Sequence, residues 1–81
     1  MRARIRITLK DGVLDPQGQA IEKSLHTLGF EEAGNVRQGK VIELDIAESD
    51  EDRARARLDE MCRRLLANTV IENYEIELTR T

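Results

Sequence analysis

The chain has 81 residues, the size of one small domain, and its 40% hydrophobic and 36% charged residues make a globular composition, not a disordered one. Thirteen basic residues against sixteen acidic ones leave a formal charge of −3, and Phe30 and Tyr74 are the only aromatic residues. A nucleic-acid backbone would meet neither a basic surface nor a row of stacking rings, so no nucleic-acid partner is expected.

Ala3, Ile5, Ile7 and Leu9 alternate with Arg2, Arg4, Arg6, Thr8 and Lys10, the period-two pattern of a half-buried strand with one basic face. The strand starts without the apolar stretch of a signal peptide, and no run of about 18 apolar residues follows, so neither export nor a membrane span is expected. Asp11-Gly12 breaks the strand, and Asp15-Pro16 supplies an N-cap followed by the residue favoured at the first helical position. Ile21, Leu25 and Leu28 then recur at helical spacing until Gly29 ends the helix at C′. His26, the only histidine, falls where that stripe turns toward solvent and reads as a surface residue without a catalytic or ligand role.

Ala33 to Gln38 and Val41 to Ile46 flank Gly39-Lys40 and read as a hairpin, with Ile42, Leu44 and Ile46 on one face and Glu43 and Asp45 on the other. In Ser49-Asp50-Glu51-Asp52 the serine can cap a second helix while the acidic residues fill its first turn. Ala54, Leu58, Met61, Cys62 and Leu65 form the buried stripe of that helix, and Asp59 with Arg63 and Glu60 with Arg64 are pairs on its wet face. Cys62 therefore reads as a small core residue; standing alone, it excludes an internal disulfide and fits a reducing cytoplasm. Asn68 suits C′ of the second helix, and Tyr74, Ile76 and Leu78 alternating with Glu75, Glu77 and Thr79 give a fourth strand.

The order β-α-β-β-α-β over residues 1–81 is an α+β, ferredoxin-like split βαβ plan in one domain, with two helices on one face of an antiparallel sheet. That plan puts the first strand between the third and fourth, so Arg4 and Arg6 meet Glu43, Asp45, Glu75 and Glu77 in a salt-bridged sheet face and not in an anion site. The sequence offers no nucleophile–base pair, metal cluster or phosphate loop, so catalytic, cofactor-binding and metal-ligating residues are all expected to be absent. The unusual stretch is Asp11-Gly12-Val13-Leu14-Asp15-Pro16-Gln17-Gly18, readable as a capped turn or, because Val13 and Leu14 are apolar residues in a connection, as a contact surface.

Leu9 to Gly18, Ala20-Ile21, Leu28-Gly29-Phe30, Val36 to Lys40 and the closing block Met61 to Tyr74 together resemble PurS, the small subunit of phosphoribosylformylglycinamidine synthase. The blocks run in that family's order over nearly the whole chain; Thr69 departs, standing where the family often has proline. The resemblance implies a non-catalytic subunit of an ATP-dependent C–N ligase of de novo purine synthesis that takes nitrogen from glutamine. It implies a homodimer or higher homo-oligomer bridging a PurQ-type glutaminase and a PurL-type synthetase and supporting ammonia transfer, with ATP and magnesium at the large subunit and no cofactor on this chain. For partner contact it points to Asp11, Gly12, Val13, Leu14, Asp15, Pro16, Gln17 and Gly18, and to Asn68, Ile71, Glu72 and Tyr74. The rival reading is a stand-alone ligand-binding regulatory module, since ferredoxin-like folds serve many functions.

Overall fold

The alternation at the amino terminus produces the central strand. In the computed structural model, which describes residues 1–80, β1 (Arg2–Leu9) buries Ala3, Ile5 and Ile7 and turns Arg4, Arg6 and Thr8 outward. It pairs antiparallel on one side with β2 (Gly39–Asp45) and on the other with β3 (Glu72–Thr79), giving the sheet order β2-β1-β3. Registers of Arg4 with Glu43 and Glu77, and of Arg6 with Glu75, put opposite charges side by side on the outer face. Arg4 Nε lies 3.0 Å from Glu43, Arg6 lies 3.3 Å from Glu75, and Arg2 reaches both Glu43 and Asp45 at 3.2 Å. The outer face is thus a solvated lattice of ion pairs, each contributing little individually.

The inner face carries α2 (Glu51–Met61), whose cap is Asp50 and not Ser49: its side chain accepts from Arg53 N at 3.0 Å. Leu58 from this helix and Cys62 just past its end complete a core with Ala3, Ile5, Ile7 and Ala67, fringed by Ile42, Leu44, Met61, Tyr74 and Ile76. After Met61 the backbone widens into a π-helical turn, Cys62–Leu66, closed by Ala67 N to Cys62 O at 2.9 Å. The wider turn corrects the expected stripe: it rotates Leu65 out to 82% exposure and leaves Leu66 against the core.

Two further departures concern the first half of the chain. Residues 33–38 are not a strand, and the order is β-α-β-α-β; Gly39-Lys40 belongs to β2 instead of forming a turn. A strand requires a ladder, and the amides that would build one are taken by helix side chains: Val36 N donates to Glu22 at 2.9 Å and Gln38 N to Asp15 at 2.7 Å. These bonds also hold α1 (Pro16–Thr27) against the returning segment, so α1 does not join α2 as a second layer on the sheet. Gly29, at φ +100°, ends α1, with Phe30 N closing on Leu25 O at 2.9 Å, and His26 reaches Ala33 O at 2.6 Å. The result is an arm, and the molecule measures 49 × 28 × 14 Å with a radius of gyration of 16.1 Å. A compact chain of this length has about 12 Å.

Candidate partner-contact site

The two segments singled out in the sequence meet at one end of the sheet. Lys10 N, just past β1, donates to Ile71 O at 2.8 Å, just before β3, which seats the Asp11–Gly18 loop beside the 68–72 turn. Between them lies a hollow of about 260 Å³ lined by Ile7, Leu9, Asp15, Gln17, Lys40 and Glu72. Lys40 Nζ stands 3.9 Å from Glu72 across it.

Asp15 organises the first loop. It is only 5% exposed, and its two oxygens are both used, Oδ1 by Gly18 N at 2.8 Å and Oδ2 by Gln38 N at 2.7 Å. One carboxylate therefore caps α1 and ties it to the entrance of β2. The amide donors, Gln38 first and then Gly18, hold its carboxyl below the usual carboxylate range, with Arg37 adding to the effect and burial opposing it. Pro16 follows at the first helical position, and Gly18 is buried where α1 crosses the return segment. Asp11, Gly12 and Gln17 face solvent, and Leu14 does so at 65% exposure, an apolar side chain left uncovered in a connection.

Asn68 organises the second segment from the expected C′ position, directly after the C-cap Ala67, without left-handed backbone. Its side chain accepts from Val70 N at 3.2 Å, and its carbonyl accepts from Ile71 N at 3.0 Å and Glu72 N at 2.7 Å. Glu72 returns the contact by accepting from Asn68 N at 2.7 Å. The tip this builds carries Val70 at 81% exposure and a partly exposed Ile71. Tyr74 is separate from that tip: its hydroxyl donates to Asp59 on α2, whose carboxylate also meets Arg63 at 2.9 Å. That bond and partial burial raise the phenol's pKa. Tyr74 fastens α2 to β3.

Cys62, the one thiol, is fully buried and its pKa is raised by desolvation and by Asp59. Among the described residues there is no group of three or more metal-ligating side chains, and no helix is long and apolar enough to cross a membrane.

Asp15→Asn is expected to lower Tm at pH 7 by roughly 4–8 °C, since an amide cannot accept from both Gly18 and Gln38. Because folding lowers the Asp15 pKa, its stabilisation is present above the ordinary carboxylate value near ~3.9 and disappears as pH falls through the folded value. The gap between the two proteins should therefore begin to narrow only below about pH 4 and close as pH falls through the lower folded value; a gap that persists at still lower pH would contradict the assignment.

The family model for PurS, phosphoribosylformylglycinamidine (FGAM) synthase, matches residues 2–80. The PurS subunit of that synthase from Synechocystis sp. is 51% identical over 76 residues, covering 94% of this chain and 76% of the relative. The crystal structure of Methanocaldococcus jannaschii PurS, described as one of the subunits of formylglycinamide ribonucleotide amidotransferase in the purine biosynthetic pathway, superposes with a TM-score of 0.83. It is 42% identical and covers 94% of this chain and 92% of its own. A chain from the PurLQS structure of Thermotoga maritima gives a TM-score of 0.86 at 29% identity, covering 94% and 93%. With the antiparallel sheet, the two helices and the family signatures in one chain, the protein belongs to the PurS family of phosphoribosylformylglycinamidine synthase subunits.

Proposed function

We propose that this chain is the non-catalytic small subunit of a phosphoribosylformylglycinamidine synthase, bridging a PurQ-type glutaminase and a PurL-type synthetase and supporting ammonia transfer between them. The observation that carries the reading is the match to the PurS family over residues 2–80. The similarity to the chain in the PurLQS structure supports the choice of partners. ATP and magnesium act at the PurL-type subunit in this reading, and the assembly works in the cytoplasm with more than one copy of this chain. The loop from Asp11 to Gly18 and the turn from Asn68 to Glu72 are the contact surface, with Leu14, Val70 and Ile71 as its apolar points. Tyr74 supports that surface from within.

The deciding assay measures synthase activity of the two larger subunits with and without this chain, using glutamine and, separately, ammonium as nitrogen source. Restoration with glutamine alone is the expected result and places the chain in coupling the two sites. Restoration with both sources would make it an activator of the synthetase, and no effect with either would overturn the assembly reading.

A further inference from the structure

Because α1 stands away from the sheet, α2 is the one helix on the inner face, and along its β2 side Leu44 and Ile46 stay partly exposed. Two hollows of about 420 and 330 Å³ follow this side of α2 in succession. They share Arg57 and Met61 and so form one groove between α2 and β2. Its floor is apolar, built from Leu44, Ile46, Met61 and Leu66, and the π-helical turn sets Leu65 at one end, 82% exposed. The rim is basic. Arg53, Arg57 and Arg64 line it against the two carboxylates Glu48 and Glu60, on a chain whose net charge is −3. Arg57 and Arg64 share Glu60 at 3.5 and 3.3 Å, one contact each, which leaves most of their N–H donors available to another acceptor.

We propose that this groove receives an amphipathic helix of a larger synthase subunit, its apolar stripe on Leu44, Met61 and Leu65 and its acidic edge against Arg57 and Arg64. A helix fits because the groove lies where a two-layer α+β plan seats its second helix, and Arg53 to Arg64 gives a wall of about 16 Å at ~1.5 Å per residue. Carboxylates fit because the rim holds three arginines for two acids. The same groove of a second copy does not fit: set face to face across a two-fold axis, the two grooves would bring Arg57 and Arg64 of both copies together. None of the groove residues belongs to the Asp11–Gly18 loop or the 68–72 turn, so the chain carries two separate faces, as a bridge between two partners requires. This face rests on the bridging reading above and gives the bridge its second end.

Equilibrium binding of the full-length chain to each purified larger subunit tests the groove, alongside sedimentation of the chain alone. Arg57→Glu with Arg64→Glu, and separately Leu65→Asp, are each expected to raise the dissociation constant for one larger subunit about tenfold or more. Binding to the other subunit, far-ultraviolet dichroism and the mass of the chain alone should stay as in the wild type. For the arginine pair, the loss should come mainly from slower association and should flatten the salt dependence of binding. Should the reversed charges unfold α2, Arg57→Gln with Arg64→Gln decides, with an expected rise of about threefold. Folded variants that bind both subunits as the wild type does would overturn the groove, and so would equal losses against both. A fall in the mass of the chain alone would assign the groove to a second copy and overturn it as well. A wild-type chain that binds neither subunit would discard the bridging reading, and the groove's occupant with it.

Discussion

Truncating Leu58 to alanine is expected to cost about 2–5 kcal/mol and to lower Tm by roughly 10–30 °C. Leu58 is fully buried between α2 and the inner sheet face, where Ile5, Ile7 and Cys62 leave the surroundings few ways to collapse into the space. A domain of this length has a total stability of about 4–12 kcal/mol, so the loss takes a large share of it. The control is Leu65→Ala, on the same apolar pattern in sequence but 82% exposed, which should change stability by no more than about 0.5 kcal/mol. Urea unfolding of both variants checks the pair. Equal losses would mean that the π-helical turn does not rotate Leu65 away from the core, and a Leu58→Ala loss below about 1 kcal/mol would contradict the packing itself.

Elements whose signal is local were legible before the structure. The alternation from Ala3 to Leu9 needed only its own residues, and so did the Asp15-Pro16 start and Gly29 stop of α1. Cross-strand charges were legible one step further, because placing the first strand in the centre brings Arg4 and Arg6 to Glu43 and Glu75. What failed depends on partners distant in sequence. Residues 33–38 lead into β2 as a strand would, but a ladder needs a neighbouring strand, and the amides of Val36 and Gln38 go instead to the side chains of Glu22 and Asp15. Likewise the stripe Ile21, Leu25, Leu28 correctly announced a helix with an apolar side, yet Ile21 and Leu28 stay exposed because α1 is tied to the return segment instead of the sheet. The π-helical turn has no periodic signature over five residues, so Leu65 kept its place on an ideal stripe that the backbone abandons after Met61. For the contact site, the two loops were identifiable, but their adjacency came from the Lys10–Ile71 bond between strand ends.

Gly18→Ala is the second large effect, and its sign is the informative part. Inside an exposed helix this exchange ordinarily stabilises by up to about 1 kcal/mol, because alanine restricts the unfolded chain and favours the helix. At position 18 a Cβ would lie 2.5 Å from Val36 O and 2.7 Å from Asp15 Oδ2. Neither neighbour can retreat freely: Val36 is backbone held by Glu22, and Asp15 is fixed by its bonds to Gly18 and Gln38. The crowding should outweigh the helix gain and leave a net loss of about 1–3 kcal/mol. Ser24→Ala, further along the exposed part of α1, provides the reference and should be neutral or slightly stabilising. Because the strain falls where α1 leaves the sheet, the variant should also lose glutamine-dependent activity in the reconstituted synthase while its core still folds cooperatively. A stabilised Gly18→Ala protein would show that the arm is not clamped at Val36, and the alignment of the Asp11–Gly18 loop with the 68–72 turn would then need another anchor.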